Sequence, residues 1–253
     1  MIRAILFDFH NTLATCDGWL ELEIKTLPDL VLQKLASEGS IESQYAGRAA
    51  EATALFRLLR QRVRESGREI SAVEGALEVL RELNVKVSEA EVARAVEALE
   101  YACLPEVKML PGADHALERL RDKGYLMGVV SSAGYPPFVE LALETLGLRT
   151  FFSEIVTSAG EGLYKSDPEL YRRAVDRFGV LPAEAVHIGD HPAFDVEAAK
   201  AAGLRAVWFT AQSRRTAELR GEPWYDPSGA AQRADAVVAG MDDLVSAMEG
   251  LGD

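Results

Sequence analysis

The sequence predicts an α/β protein: a doubly wound parallel sheet with helices on both faces, interrupted near its start by an inserted helical segment. Three observations predict it. Short apolar runs end abruptly in polar residues before Asp8, at Leu126–Ser131 and at Ala185–Ile188. Runs of this kind read as strands buried on both faces of a parallel sheet. From Leu110 onward, such runs alternate with helical patterns, and alternation implies parallel pairing through helical crossovers. Between about residues 16 and 105 the periodicity is helical and no strong strand occurs.

The elements follow in order. After the first strand, Ile41 to Glu65 is rich in Ala, Arg and Leu, with apolar residues at Ala54, Leu55, Leu58, Leu59 and Val63. Ala72 to Leu83 repeats that periodicity, and Ser88-Glu89-Ala90-Glu91 forms a capping-box pattern opening a helix to about Cys103. Four antiparallel helices are expected here. Pro111-Gly112 then opens a helix to Lys123. Next come a strand at Tyr125–Ser131, a helix at about Pro136–Leu146 and a short strand near Glu154–Thr157. The pattern continues with a helix at Pro168–Phe178, a strand at Ala185–Ile188, a helix at Phe194–Ala202 and a strand at Arg205–Phe209. Ser213–Gln232, with Gly221, Pro223, Pro227 and Gly229, reads as a polar surface segment. Ala234–Val238 is expected as the last, edge strand, followed by a helix at Met241–Met248.

Composition narrows the function classes. The 253 residues are 48% hydrophobic, ample for a sizeable core, and carry a net charge of −13. No basic patch of the kind a nucleic-acid binder shows stands out. Arg57, Arg60, Arg62 and Arg64 interleave with Glu on a helical pattern and read as a solvated face. Cys16 and Cys103 fit neither a zinc spacing nor a disulfide framework, and Cys16 reads as a buried or nearby thiol beside the first loop. The first apolar run is short and interrupted by Asp8, so it is no signal peptide, and no run reaches membrane-spanning length. A soluble, cytoplasmic protein is the expectation, with neither nucleic acid nor membrane as partner.

The chemistry lies at the strand ends, where ligands bind in open α/β sheets. Asp8 ends the first strand and is followed by His10, Asn11 and Thr12; Ser131 and Ser132 end the second apolar run. Lys165 stands just before a helix start at Ser166-Asp167-Pro168, and the third run ends in Gly189-Asp190 with Asp195 five residues on. Carboxylates, hydroxyls and one cation in this setting match the needs of phosphoryl chemistry with Mg²⁺. Oxygen ligands hold the ion, the cations neutralise phosphate charge, and a carboxylate can attack phosphorus.

These four motifs, in this order, resemble those of the haloacid dehalogenase-like (HAD) hydrolase superfamily. The first is the strand ending in Asp8 with Thr12. The second ends in Ser131, the third is Lys165 with Asp167-Pro168-Glu169-Leu170-Tyr171, and the fourth is Gly189-Asp190 with Asp195. The match covers about 1–13 and 107–245. The resemblance implies a Rossmann-like core domain at 1–15 and 106–253, and a helical cap of the first type at 16–105. Leu13–Asp17 and Leu104–Leu110 then become the hinge strands.

It also implies roles. Asp8 is the nucleophile and a metal ligand, and Asp190 is a second ligand. Asp195 supports the metal waters or the lysine, and Lys165 pairs with the phosphoryl oxygens and Asp8. Ser131, with the backbone after it at Ser132, donates to phosphate, and Thr12 braces the loop. Mg²⁺ is the implied cofactor and a small phosphorylated metabolite the implied substrate. Phosphatases of this family carry Asp two residues after the nucleophile; this chain has His10. The family's metal contact at this position comes from the backbone carbonyl, so it survives the change. His can also carry the proton to the leaving oxygen and from water.

Blander readings stand beside these. Asp8 alone reads as a turn-capping residue, Asp195 as a helix N-cap and Lys165 as a surface lysine. Trp19 is a lid wall over substrate or, more simply, a packing residue at the hinge. His191 reads as an exposed loop residue; His115 and His187 read as structural. Because the overall charge is anionic, attraction of a phosphorylated substrate is expected from the metal, Lys165 and local dipoles. Two rivals remain: dehalogenation or phosphonate cleavage on the same scaffold, for which Lys25, Lys34 and Lys86 carry no motif, and a catalytically silent binding protein.

Overall fold

A computed structural model describes residues 1–221 and 227–252. The first strand, β1 (Ala4–Phe7), is buried throughout because it lies in the middle of the sheet. A tight loop follows, in which Leu13 and Ala14 both donate backbone hydrogen bonds to Phe9. Asn11 sits there in the left-handed region (φ 63°), which Asn tolerates better than most residues. Then comes the short strand β2 (Ala14–Thr15).

The helical segment holds α1 (Asp17–Glu21), α2 (Leu27–Ser37), α3 (Ala49–Ser66), α4 (Ala72–Glu82) and α5 (Glu89–Cys103). Five helices thus replace the expected four, because a short first helix runs through a π-helical turn at Leu22–Thr26 into α2. The periodic stretch from Ile41 does not begin as α-helix: Ser43–Arg48 is a 3₁₀ turn, and α3 starts only at Ala49. The expected capping box is present, Ser88 Oγ accepting from the Glu91 amide while Glu91 accepts from the Ser88 amide. A second one, Ser71 with Glu74, opens α4. Residues Leu22 to Val96 build a hydrophobic cluster of their own, centred on Val31, Leu32, Ala76, Leu80, Val92 and Val96.

Strand β3 (Lys108–Met109) returns antiparallel to β2. Both are shorter than expected, and Leu104–Glu106 is a 3₁₀ turn rather than strand. Beyond them lie α6 (Ala113–Asp122), β4 (Leu126–Ser131), α7 (Pro136–Thr145), β5 (Glu154–Thr157), α8 (Ser158–Glu161) and α9 (Pro168–Phe178). Then follow β6 (Ala185–Gly189), α10 (Ala199–Ala202), β7 (Arg205–Phe209), α11 (Ser213–Arg220), α12 (Pro227–Arg233), β8 (Ala236–Val238) and α13 (Met241–Gly252). The six-stranded sheet runs β5-β4-β1-β6-β7-β8, all neighbours parallel, with β8 at the edge as expected.

Both faces of the sheet are covered. Ile5 and Phe7 of β1 pack with α6, α7 and α13, while Ala4 and Leu6 face α9 and α10. Alternate burial on two faces is why the strand reads as a continuous apolar run. Burying each of the larger side chains, Ile5, Leu6 and Phe7, contributes about 1.5–3 kcal/mol. The order places β1 between β4 and β6, so the polar ends of all three converge at one edge. The Ser213–Gln232 segment departs from expectation: 213–220 is a helix with Ser213, Thr216 and Ala217 buried. Its part at 222–226 lies outside the described residues. Among the described residues, no helix is long and apolar enough to cross a membrane.

Candidate active site

Asp8 is the first residue beyond β1, its amide donating to the Ile188 carbonyl of β6 at 2.8 Å. Register with β6 therefore fixes where its carboxylate stands. Lys165 Nζ donates to Asp8 Oδ1 and lies 2.7 Å from Asp195 Oδ1. Thr12 Oγ1 donates to Asp8 Oδ2 at 3.3 Å, so Thr12 braces the carboxylate. Asp195 is held three further ways. His187 Nε2 is 2.9 Å from Oδ1, the His191 amide donates to Oδ2 at 2.8 Å, and the Asp195 amide donates to the His191 carbonyl at 2.7 Å.

Oxygens of Asp8, Asp190 and Asp195 lie within 4.8 Å of one another, and all three residues are buried. Electrostatics follow from that crowding. Burial pushes Asp8 above the usual carboxylate range, with Lys165 opposing and Asp195 adding to the rise. Asp190 is pushed well up by burial, then by Asp8 and Asp195. Burial also acts to raise Asp195, but Lys165 and His187 outweigh it and hold it well below the usual range. Burial works against the Lys165 ammonium, yet Asp195 and Asp8 overcome it and raise its pKa. Three carboxylates against one ammonium leave a deficit of positive charge in a buried, all-oxygen donor set. That set suits a hard divalent cation.

A cavity of about 30 Å³ is lined by Asp8, His10, Trp19, Ser131, Ser132, Lys165, Asp190, His191, Asp195, Thr216 and Arg220, among others. The expected site residues other than Thr12, which stands behind Asp8, thus surround one space, and Ser132 Oγ is buried there without a hydrogen-bond partner. The His10 ring stays outside the carboxylate cluster. Burial, then Arg220, lowers its pKa to about 3, so the ring is neutral, and its Nε2 is buried without a partner. Trp19 is almost fully buried, stacked on Phe138 at 4.6 Å, with Nε1 donating to Glu100 at 3.0 Å. It borders the cavity chiefly as a packing residue.

Other histidines differ from expectation. His191 is buried and stacked on Phe194 at 4.0 Å rather than exposed in a loop. His187 contacts Asp195 directly; its place on β6, eight residues before Asp195, was the available signal. His115 is exposed, near Glu118 at 3.7 Å. Cys16 is buried, its Sγ donating to the Cys103 carbonyl at 3.5 Å.

Sequence reasoning missed a relay behind Asp190. Asn11 Nδ2 donates to Thr216 Oγ1 at 2.7 Å, and Thr216 Oγ1 donates to Asp190 Oδ2. Ser213 Oγ and Trp208 Nε1 donate to the Asp190 carbonyl at 2.5 and 3.0 Å. Asn11, between His10 and Thr12, was visible, but nothing in the sequence tied it to residue 216.

Comparison with known proteins agrees with this geometry. A family model described as haloacid dehalogenase-like hydrolase matches residues 2–203, and a second HAD-like hydrolase model matches 163–244. A glyceraldehyde 3-phosphate phosphatase of Pyrococcus abyssi is 27% identical over 210 residues, covering 83% of this chain and 82% of that one. A glyceraldehyde 3-phosphate phosphatase of Pyrococcus furiosus is 32% identical over 52% of this chain and 54% of its own length. A phosphoserine phosphatase of Thermus thermophilus is 38% identical over 40% of each chain. The match thus spans about half or less of the length of two of these three relatives.

Two solved structures share the fold. A HAD phosphatase from Thermococcus onnurineus superposes with a TM-score of 0.64 at 23% identity, covering 98% of this chain and 99% of that one. An L-2-haloacid dehalogenase from Xanthobacter autotrophicus gives 0.58 at 20% identity, with 99% of each chain covered. Since the family model spans the motif residues from Asp8 to Asp195 that line one cavity, the chain belongs to the haloacid dehalogenase-like hydrolase family.

Proposed function

We propose that the protein is a Mg²⁺-dependent phosphatase of a small phosphorylated metabolite, acting through an aspartyl-phosphate on Asp8. The observation that carries this reading is the Asp8–Lys165–Asp195 arrangement with Asp190 within the same few ångströms. Asp8, Asp190 and Asp195 would hold the ion. When bound, Mg²⁺ supplies Lewis-acid neutralisation of phosphoryl charge.

Asp8 attacks phosphorus in line, its carboxylate aimed by Lys165 and Thr12. Lys165, fixed by Asp195, neutralises charge on the transferring group, and Ser131 and Ser132 donate to its oxygens. Burial keeps the His10 ring neutral in this closed arrangement, so to protonate the leaving oxygen it would have to take up its proton while the site is open to solvent. In its neutral state it is ready to take a proton from water once the leaving group has gone. Residues 16–105 act as a cap over the core at 1–15 and 106–253. Hydrogen bonds from Ala72 to Gly134, Gly134 to Glu23 and Ser158 to Glu69 join the two parts, at 2.8, 2.7 and 3.1 Å. The space beside Asp8 is narrow, and opening of these contacts would widen it for substrate.

The rival reactions find less support. Dehalogenation, in which Asp8 would attack carbon, needs no metal, and so gives no reason for Asp190 and Asp195 to crowd Asp8. A Schiff-base lysine for phosphonate cleavage is missing from the cavity lining, where Lys165 is the lysine present among the described residues. The test is hydrolysis of an aryl phosphate with Mg²⁺, with EDTA and with Asp8→Asn. Metal-dependent turnover abolished by Asp8→Asn supports the reading; no turnover of this easy leaving group overturns it.

A further inference from the structure

We propose that the substrate carries a second anionic group, a carboxylate or a second phosphate, and that Arg220 with Lys25, Arg57 and Arg64 receives it. This rests on the phosphatase reading and specifies its substrate class. A groove of about 830 Å³ adjoins the reaction cavity, walled by α3, the π-helical turn after α1 and the end of α11. Among the described residues, its cationic lining is Lys25, Arg57, Arg60, Arg64 and Arg220, and its carboxylates are Glu65 and Glu218.

Two of these charges are already matched. Arg60 is committed to Glu69 by a bidentate pair at 2.6 and 3.1 Å, and Glu218 pairs with Arg214 at 3.1 Å. Among the described residues of the groove, Lys25, Arg57, Arg64 and Arg220 are left facing Glu65 alone, on a chain whose net charge is −13. The arginines of α3 are thus not one solvated face. Arg62 turns away to Glu78 at 2.5 Å, while Arg57 and Arg64 have no ion pair among the described residues. A concave cluster of one sign focuses the field and raises the local concentration of anions. This supplies an attraction for anionic substrates beyond the metal and Lys165.

Arg220 connects the groove to the chemistry. It lines both the groove and the reaction cavity, its guanidinium lies 5.3 Å from the centre of the Phe194 ring, and its Nε is buried without a hydrogen-bond partner. A buried donor without an acceptor is unfavourable until a ligand supplies one. With the phosphoryl group held between Asp8, Lys165 and Ser131, an ester bearing no other charge leaves Arg220 and the groove cations unmatched. A second carboxylate or phosphate matches them.

The test compares kcat/KM with Mg²⁺ for two matched pairs. One pair is 3-phosphoglycerate against glycerol 3-phosphate; the other is butane-1,4-diol bisphosphate against its monophosphate. The expected result is at least a tenfold preference for the charged member of one pair, and the pair showing it identifies carboxylate or phosphate. Arg220→Gln lowers that preference tenfold or more, as for loss of a hydrogen bond between charged groups. Arg57→Gln with Arg64→Gln, both exposed, lowers it about threefold, and carries the test if Arg220→Gln fails to fold. Arg62→Gln keeps the wild-type ratio. Turnover of the esters with no preference in either pair, or a preference that none of the groove variants changes, overturns the proposal and leaves the phosphatase reading standing. No turnover of any ester, aryl phosphate included, overturns the phosphatase reading and the proposal with it.

Discussion

Thr216 donates a hydrogen bond to Asp190 across 26 positions of sequence, from a helix whose composition suggests only solvent exposure. The hydroxyl is itself held by Asn11, so a loop beside Asp8 and a helix after β7 jointly orient one carboxylate of the cluster.

Thr216→Val keeps the shape and removes both hydrogen bonds. Partners behind a metal ligand typically matter about 10–100-fold in metal affinity or activity. The variant should need about tenfold more Mg²⁺ for half-maximal activity, with little loss at saturating metal. A titration curve superimposable on wild type would mean that Thr216 only packs.

Gly189→Ala tests the crowding at the end of β6. A Cβ at this position would stand 2.2 Å from Asp195 Cγ, and that side chain is pinned by Lys165, His187 and the His191 amide. Because the carboxylate has nowhere to go, the substitution should cost about 1–3 kcal/mol of stability and lower kcat at least about a hundredfold. Thermal unfolding and steady-state kinetics would check it; a near-wild-type kcat would show that Asp195 is freer than its contacts imply.

His10→Ala should separate substrates by leaving group. General acid–base catalysis typically contributes about 10²–10⁴-fold. Alkyl phosphates, whose leaving oxygen needs a proton, should slow about a hundredfold or more, and aryl phosphates much less. Equal losses for both classes would remove His10 from the proton transfer to the leaving group.

Glu100 gives a stability prediction with a definite sign. Burial, then the neighbouring Glu23 carboxylate, raises its pKa from 4.5 to about 10, against the opposing hydrogen bond from Trp19. The folded protein keeps a proton that the unfolded chain releases above pH 4.5. Stability from this group is therefore fully present below that pH, and is lost as pH rises towards 10. Glu100→Gln mimics the protonated carboxyl and should raise Tm at pH 8 by about 3 °C or more, for about 1 kcal/mol, with little gain at pH 4.5. The same Tm difference at both pH values would show that Glu100 is ionised in the fold.

Much of this protein follows from local sequence. Buried parallel strands, helix starts such as Ser88-Glu89-Ala90-Glu91, and the carboxylates and lysine at strand ends are all legible. Each depends on periodicity, capping or turn chemistry within a few residues. The limits of that legibility are set by tertiary packing. The π-helical turn at Leu22–Thr26 and the shortened strands β2 and β3 arise where packing overrides propensity.

What only the tertiary structure decided are relations between distant segments. Strand order brings the ends of β1, β4 and β6 to one edge, and with them Asp8, Ser131 and Asp190. The fold turns His187 onto Asp195, seats Trp19 against Phe138 and sends Thr216 to Asp190. It also divides four arginines of one helix pattern among Glu69, Glu78 and an anion-attracting groove. The physical reason is that local sequence sets backbone conformation and burial. Which charges meet depends on packing between elements far apart in the chain, and the energy of a buried charge is set by its loss of water together with the partner it finds there.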